Sequence, residues 1–176
     1  MSFIHLVLGG ARSGKSSYAE TLAKQSYSTT QSSLIYLATA TAGDKEMSER
    51  ISHHQARRNS EWQLYEEEIE IATIVKTAPK NSTVLIDCLT LWLSNCLHNN
   101  VWPQKRSEFI DALSTTSANI VMVSNEVGSG IVPMGELSRK FVDESGWLHQ
   151  QIAATASHVT LAVSYTHLTL PTIYSV

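Results

Sequence analysis

Phe3-Ile4-His5-Leu6-Val7-Leu8 runs directly into Gly9-Gly10-Ala11-Arg12-Ser13-Gly14-Lys15-Ser16-Ser17. The first stretch reads as a short buried strand. The second is a complete Gly-x-x-x-x-Gly-Lys-Ser loop, and the residues from Ser16 to Gln25 that follow read as a helix. Glycines allow backbone N–H groups to wrap phosphate oxygens without Cβ clashes. The helix adds the positive end of its dipole to the same place. Lys15 is placed to reach the β and γ phosphates of a nucleoside triphosphate, and the Ser16 hydroxyl to ligate Mg²⁺.

Working outward, apolar runs at 34–38, 84–87, 120–124 and 159–164 read as further short strands. Helical stretches at 44–59, 89–99, 104–116 and 136–156 alternate with them. This alternation predicts an α/β fold, a mostly parallel sheet with helices on both faces, and ligands at the carboxyl ends of its strands. The chain has 176 residues, 43% apolar and 16% charged, a balance that suits one globular domain. With a net charge of -3 it carries no basic footprint, so no nucleic-acid partner is expected. No apolar run reaches the roughly 20 residues of a membrane helix, and no secretory signal is read at the N-terminus. Cys88 and Cys96 stand outside any metal-binding spacing and read as reduced thiols.

A phosphate loop calls for a partner acid at the end of a later buried strand. Thr83-Val84-Leu85-Ile86-Asp87 supplies one. Asp87 either serves the metal and phosphate site or caps the helix that begins at Leu89.

Two other stretches carry chemistry. In the helical segment 44–59, Met47, Ile51, His54 and Arg58 share one stripe, and His53 sits with Glu49, Arg50 and Arg57. Arginines one turn from either histidine disfavour imidazolium and keep the ring neutral and nucleophilic. The same spacing also fits a solvated, charge-laced helix face. Adjacent histidines fit no helical zinc pair. At the end of the 120–124 strand, Ser124-Asn125-Glu126-Val127-Gly128-Ser129-Gly130 is either a structural turn or a substrate contact. Glu66-Glu67-Glu68 reads on its own as a solvated acidic patch.

Taken together, "GGARSGKSSYAE", "YLATA" (36–40), "DKEMSERISHHQARR", "LIDCLT" (85–90), "VSNEVGSGIVP" (123–133) and "RKFVDESGWLHQQIA" (139–153) resemble the bifunctional adenosylcobinamide kinase / adenosylcobinamide-phosphate guanylyltransferase family of cobalamin biosynthesis. The matching stretches occur in family order between residues 3 and 163. The resemblance implies a RecA-like P-loop NTPase fold, a homotrimer and a cytoplasmic enzyme. It implies phosphorylation of adenosylcobinamide with ATP or GTP, then GMP transfer from GTP to adenosylcobinamide phosphate through a guanylylated histidine. The nucleophile it assigns is His54, with Lys15 as the other catalytic residue. It brings Gly10, Ala11, Arg12, Ser13, Gly14, Lys15, Ser16 and Ser17 to the nucleotide phosphates. Thr39, Ala40, Thr41, Gln55, Ala56, Arg57, Arg58, Glu66 and Asp87 are the further nucleotide positions, which moves Glu66 from solvated patch to guanosine contact. Ser16 and Asp87 are the Mg²⁺ ligands expected. A small-molecule kinase without guanylyl transfer, and a GTP-binding sensor without turnover, are the rival readings.

Two departures stand out. His149 occupies a position where the family usually has asparagine. After "LAVS" the family continues with glycine and a short apolar strand, whereas this chain reads "YTHLTLPTIYSV". The expected domain therefore spans 1–164, and the tail 165–176 is atypical, a candidate cloning or read artefact.

Overall fold

A computed structural model of the protein describes residues 2–30, 32–40 and 61–170. Among them, seven strands form one sheet: β1 (Ile4–Gly9), β2 (Leu34–Ala38), β3 (Trp62–Glu66), β4 (Thr83–Asp87), β5 (Asn119–Asn125), β6 (His158–Val163) and β7 (Thr166–Leu170). Their spatial order is β3-β2-β4-β5-β1-β6-β7. Every pairing is parallel except β6 with β7, which form an antiparallel hairpin. The helices are α1 (Lys15–Thr30), α2 (Ile71–Thr77), α3 (Leu89–His98), α4 (Trp102–Thr115) and α5 (Glu136–Thr155).

Central strands buried on both sides read as continuous apolar runs, yet the pleat still sorts their residues by face. Leu6, Ile35, Leu37, Val84, Ile86, Ile120 and Met122 face one way and pack with Ile71, Leu89, Trp92, Trp102, Phe109, Leu148 and Ile152 from α2 to α5. Val7, Leu34, Tyr36, Leu85, Val121 and Val123 face the other way and pack with Ala19 and Ala23 of α1. Those two alanines, one helical turn apart, let α1 lie close against the sheet.

The expected architecture is the one observed, with differences at its margins. Helix α1 continues five residues past Gln25, to Thr30, because Gln25-Ser26-Tyr27-Ser28 contains no helix-breaking residue. Strand β3 was not read from the sequence; Trp62-Gln63-Leu64-Tyr65-Glu66 is an edge strand, half-buried or exposed at every position, and lacks a buried apolar run. Helix α2 was missed as well, being only two turns long. Strand β7 lies beyond Ser164, in the segment expected to be atypical, and pairs with β6 from Val159–Leu170 to Val163–Thr166. The predicted helix 44–59 lies outside the described residues.

Candidate active site

The carboxyl ends of β1, β4 and β5 converge on the start of α1. Strand β1 aligns Gly9 with Asn125 of β5, and β4 aligns Asp87 with Val123 of the same strand. The loop from Gly10 to Gly14 connects β1 to α1, with Arg12 at φ 56° and Gly14 at φ 89°. Left-handed positions of this kind turn consecutive backbone N–H groups inward, as an anion cradle requires. Gly9 admits no side chain: a Cβ there would stand 2.4 Å from the Ser13 hydroxyl and 2.6 Å from the Ala162 carbonyl oxygen. The Glu126 N–H donates to the Gly9 carbonyl at 3.1 Å, tying the β5 loop to the cradle. A cleft of about 340 Å³ flanks the loop on its β6 side, lined by Gly10 to Ser13, Glu126, Ser129 and Leu161 to Ser164.

Lys15 curls over the mouth of this cradle, its ammonium donating to the Gly10 carbonyl at 2.8 Å. Burial lowers its pKa, and the negative charge of Asp87 acts against that shift. Cys88 lies beside the pair, but burial pushes its thiol up to about 11, so it is uncharged at neutral pH. Ser16 and Ser17 occupy the first turn of α1, half-buried.

Asp87 is not the cap of α3. That place belongs to Cys88, which makes no side-chain cap bond. Instead the Asp87 carboxylate accepts a 2.6 Å hydrogen bond from the Tyr36 hydroxyl, on the α1 face of the sheet. Two hard oxygen donors, the Ser16 hydroxyl and the Asp87 carboxylate, suit Mg²⁺ shared with nucleotide phosphates. Among the described residues no cluster of three or more His, Cys, Asp or Glu side chains could hold a metal ion by itself. A cation here would rely on phosphate oxygens to complete its shell.

The other expected positions divide. Glu66 ends β3 in register with Ala38, and Ala38 in register with Asp87, so Glu66 stands two strands away, about 10 Å, on the exposed edge. Thr39 is fully buried; its hydroxyl donates to the Cys88 carbonyl at 2.7 Å and accepts the Cys88 N–H at 2.8 Å. Ala40 follows it, half-buried. Thr41, His54, Gln55, Ala56, Arg57 and Arg58 lie outside the described residues.

Sequence reasoning did not find two further groups. One is Tyr36, whose signal was a phenol at an inward position of a buried strand beside the acid. The other is a chain of hydroxyls at the end of β5. His149 Nε2 lies 2.8 Å from Ser124 Oγ, which lies 3.3 Å from Thr90 Oγ1, and Thr90 Oγ1 accepts the Asn125 N–H at 2.7 Å. Burial lowers the His149 pKa against the pull of Glu126, leaving a neutral ring at neutral pH. Burial would raise the Glu126 carboxyl, but hydrogen bonds from Ser129 and Gly128 outweigh it and hold the group below its ordinary value.

Comparison with known proteins agrees with this geometry. A KaiC-like protein from the hyperthermophilic archaeon Pyrococcus horikoshii superposes with a TM-score of 0.50 at 10% identity, over 90% of this chain and 70% of its own, a likeness of fold. The bifunctional adenosylcobalamin biosynthesis protein CobP of Pseudomonas aeruginosa is 46% identical over 164 residues, 90% of this chain and 92% of that protein. The corresponding protein CobU of Escherichia coli is 36% identical over 176 aligned residues, covering 90% of this chain and 94% of its own. Residues 5–170 match the family model described as cobinamide kinase / cobinamide phosphate guanyltransferase, and the chain belongs to that family.

Proposed function

We propose that this chain phosphorylates adenosylcobinamide with ATP or GTP and then transfers GMP from GTP, through His54, to form adenosylcobinamide-GDP. The observation that carries the reading is the pairing of a complete phosphate cradle with Lys15 and Asp87 at one end of the sheet, in a chain whose relatives are bifunctional over nine-tenths of its length. In the kinase step the acceptor hydroxyl attacks the γ phosphorus, the β–γ bond breaks, the nucleoside diphosphate leaves and the hydroxyl proton passes to solvent. Lys15 and the loop N–H groups hold the phosphates and neutralise charge on the transferred group. In the second activity neutral His54 attacks the α phosphorus of GTP and pyrophosphate leaves. The acceptor phosphate then takes GMP from the histidine, restoring the ring. Mg²⁺ on Ser16 and Asp87 would screen phosphate charge in both. Gly10, Ala11, Arg12, Ser13, Gly14 and Ser17 complete the phosphate contacts. Thr39, Ala40, Thr41, Gln55, Ala56, Arg57, Arg58 and Glu66 are proposed on the nucleoside side.

Assembly as a cytoplasmic homotrimer belongs to the same proposal. Ile131 and Met134, each 97% exposed, stand with Val132 and Leu137 in an apolar patch of the kind that marks contacts between chains. No described helix is long and apolar enough to cross a membrane.

The test uses α-labelled GTP with Mg²⁺. The chain is expected to acquire an acid-labile, base-stable label that is absent in His54→Ala and present in His53→Ala. His54→Ala should retain phosphorylation of adenosylcobinamide, while Lys15→Ala should lose both activities by about 10³-fold, the scale of removing one charge-stabilising donor. Kinase activity with no label under any condition would leave a monofunctional kinase, and label retained by His54→Ala would remove His54 as nucleophile.

A further inference from the structure

The two sides of the Asp87 carboxylate are not equivalent. Tyr36 is 1% exposed, so its hydroxyl must find a partner within the protein, and at 2.6 Å it has found a charged one. Register explains the encounter: Tyr36 pairs with Leu85 and Ala38 with Asp87, so the phenol lies diagonally across from the acid on the same face. That face is also where α1 begins with Lys15 and Ser16. Trp62 of β3 packs edge-on against the Tyr36 ring, centroids 5.5 Å apart at 78°, which restricts the ring's movement. Backbone restraint comes from Thr39, the residue after the end of β2. Thr39 donates its N–H to the Asp87 carbonyl at 3.2 Å, and its hydroxyl brackets Cys88 as described above. Asn95 of α3 donates in turn to the Thr39 carbonyl at 3.0 Å. Strand β2 and the residue after it therefore grip Asp87 at both side chain and main chain.

We propose that Tyr36 is a positioning residue: by engaging Oδ2 of Asp87 it sets the carboxylate so that Oδ1 is presented to a divalent cation bound with the nucleotide. This rests on the proposed role of Asp87 at the nucleotide's metal. An acid free to rotate would divide its time among orientations, and the coupling between metal and nucleotide would fall. Outer partners of this kind commonly change metal affinity by about 10–100-fold when removed.

The quantity to measure is the factor by which saturating Mn²⁺ tightens binding of α,β-methylene GTP to the full chain, by calorimetric titration with and without EDTA. In Tyr36→Phe the factor should fall by about 10-fold, while affinity in EDTA and the urea midpoint stay near wild type, because the ring remains against Trp62. Trp62→Leu leaves the hydroxyl but loosens the ring, and should lower the factor by less, which keeps the proposal testable if the Phe variant folds poorly. Asp87→Asn should remove the factor altogether. A Tyr36→Phe factor within twofold of wild type, beside an Asp87→Asn that loses it, overturns the role of Tyr36 alone. An Asp87→Asn that keeps the factor overturns the metal role of Asp87, and this inference with it.

Discussion

The two faces of the sheet are built on different terms. On one, α2, α3, α4 and α5 cover a thick apolar layer in which Trp92 lies 5.2 Å from Trp102 and 4.9 Å from Phe109, ring centre to ring centre. Most of its polar side-chain atoms lie at its margins: Trp102 Nε1 donates to Glu144 at 2.7 Å beside the Arg106–Glu144 ion pair, and the Thr90–Ser124–His149 chain sits at the carboxyl end of β5. On the other, α1 with Ala19 and Ala23 is the helix that packs on the sheet among the described residues, and buried polar groups recur along it. His5 meets Thr160 at 2.8 Å, Tyr36 holds Asp87, and Ser26 receives hydrogen bonds from both Thr83 and Asn119. Apolar packing is non-directional and tolerates small shifts, whereas a satisfied hydrogen bond fixes orientation to tenths of an ångström. The thick face supplies cohesion. The thin face, which leads into the phosphate loop, supplies aim.

The sharpest way to break this contrast is to truncate the thick face. Trp92→Ala removes a fully buried indole and leaves the Ile69 carbonyl without the 2.9 Å donor it now has. Losses of about 3–5 kcal/mol accompany such truncations, read here as the fall in urea unfolding free energy. Nucleotide affinity in the fraction that remains folded should be unchanged, since the Trp92 indole packs on Trp102 and Phe109 and bonds the Ile69 carbonyl. A loss of binding with stability intact would mean that the two faces do not divide the labour as described.

Acid should find the thin face first. His5 is buried on β1, and burial together with its stacked neighbour His158, 5.3 Å away, depresses its pKa from 6.5 to about 4. Tyr18 meets the ring edge-on at 6.3 Å, and the Thr160 hydroxyl is its hydrogen-bond partner. The unfolded chain takes up a proton near pH 6.5 that the folded chain refuses until near pH 4, so stability is full above pH 6.5 and declines as pH falls through that window. The contribution amounts to at most about 3 kcal/mol at the acid end. Urea midpoints measured from pH 7.5 down to 4.5 should follow this decline, and His5→Gln should flatten it. An unchanged slope in His5→Gln would place the acid sensitivity elsewhere.

The same contrast explains what the sequence disclosed. Strands β1, β2, β4, β5 and β6 are the inner strands of the sheet, and Leu6–Leu8, Leu34–Leu37 or Val84–Ile86 announce themselves as apolar runs. Edge strand β3 had nothing to announce, because a half-solvated Trp62-Gln63-Leu64-Tyr65-Glu66 has neither a run nor a clean alternation. The phosphate loop was legible since backbone approach to an anion demands glycine and lysine at fixed offsets. Asp87 was legible as an acid at a strand end, but whether it capped a helix or faced the loop depended on Tyr36, and that contact arises from register between strands 51 residues apart. The Thr90–Ser124–His149 chain is similarly non-local, joining three elements that no spacing rule connects.

The smallest effect concerns the point where the β6–β7 hairpin meets the thin face. Ser164 and Tyr165 turn the β6–β7 hairpin with φ of 49° and 62°, a left-handed pair that favours glycine or asparagine. Tyr165 stands where the resemblance to the family leads one to expect glycine. Its N–H donates to the Ser13 carbonyl at 2.9 Å, and its ring lies so close to Gly14 that a Cβ there would come within 2.5 Å of it. Next to it, His167 stacks on Tyr18 of α1 with centroids 3.8 Å apart. Tyr165→Gly keeps the backbone bond and removes a left-handed cost of about 1–2 kcal/mol, against about 0.5–1 kcal/mol of added chain entropy in the unfolded state. Since the side chain is 71% exposed, little packing is lost with it. The expected result is a gain of about 1 kcal/mol, or 2–4 °C in the melting temperature. A fall in melting temperature instead would show that the ring's seat on Gly14 outweighs the strain, and that the tail serves the cradle as a brace.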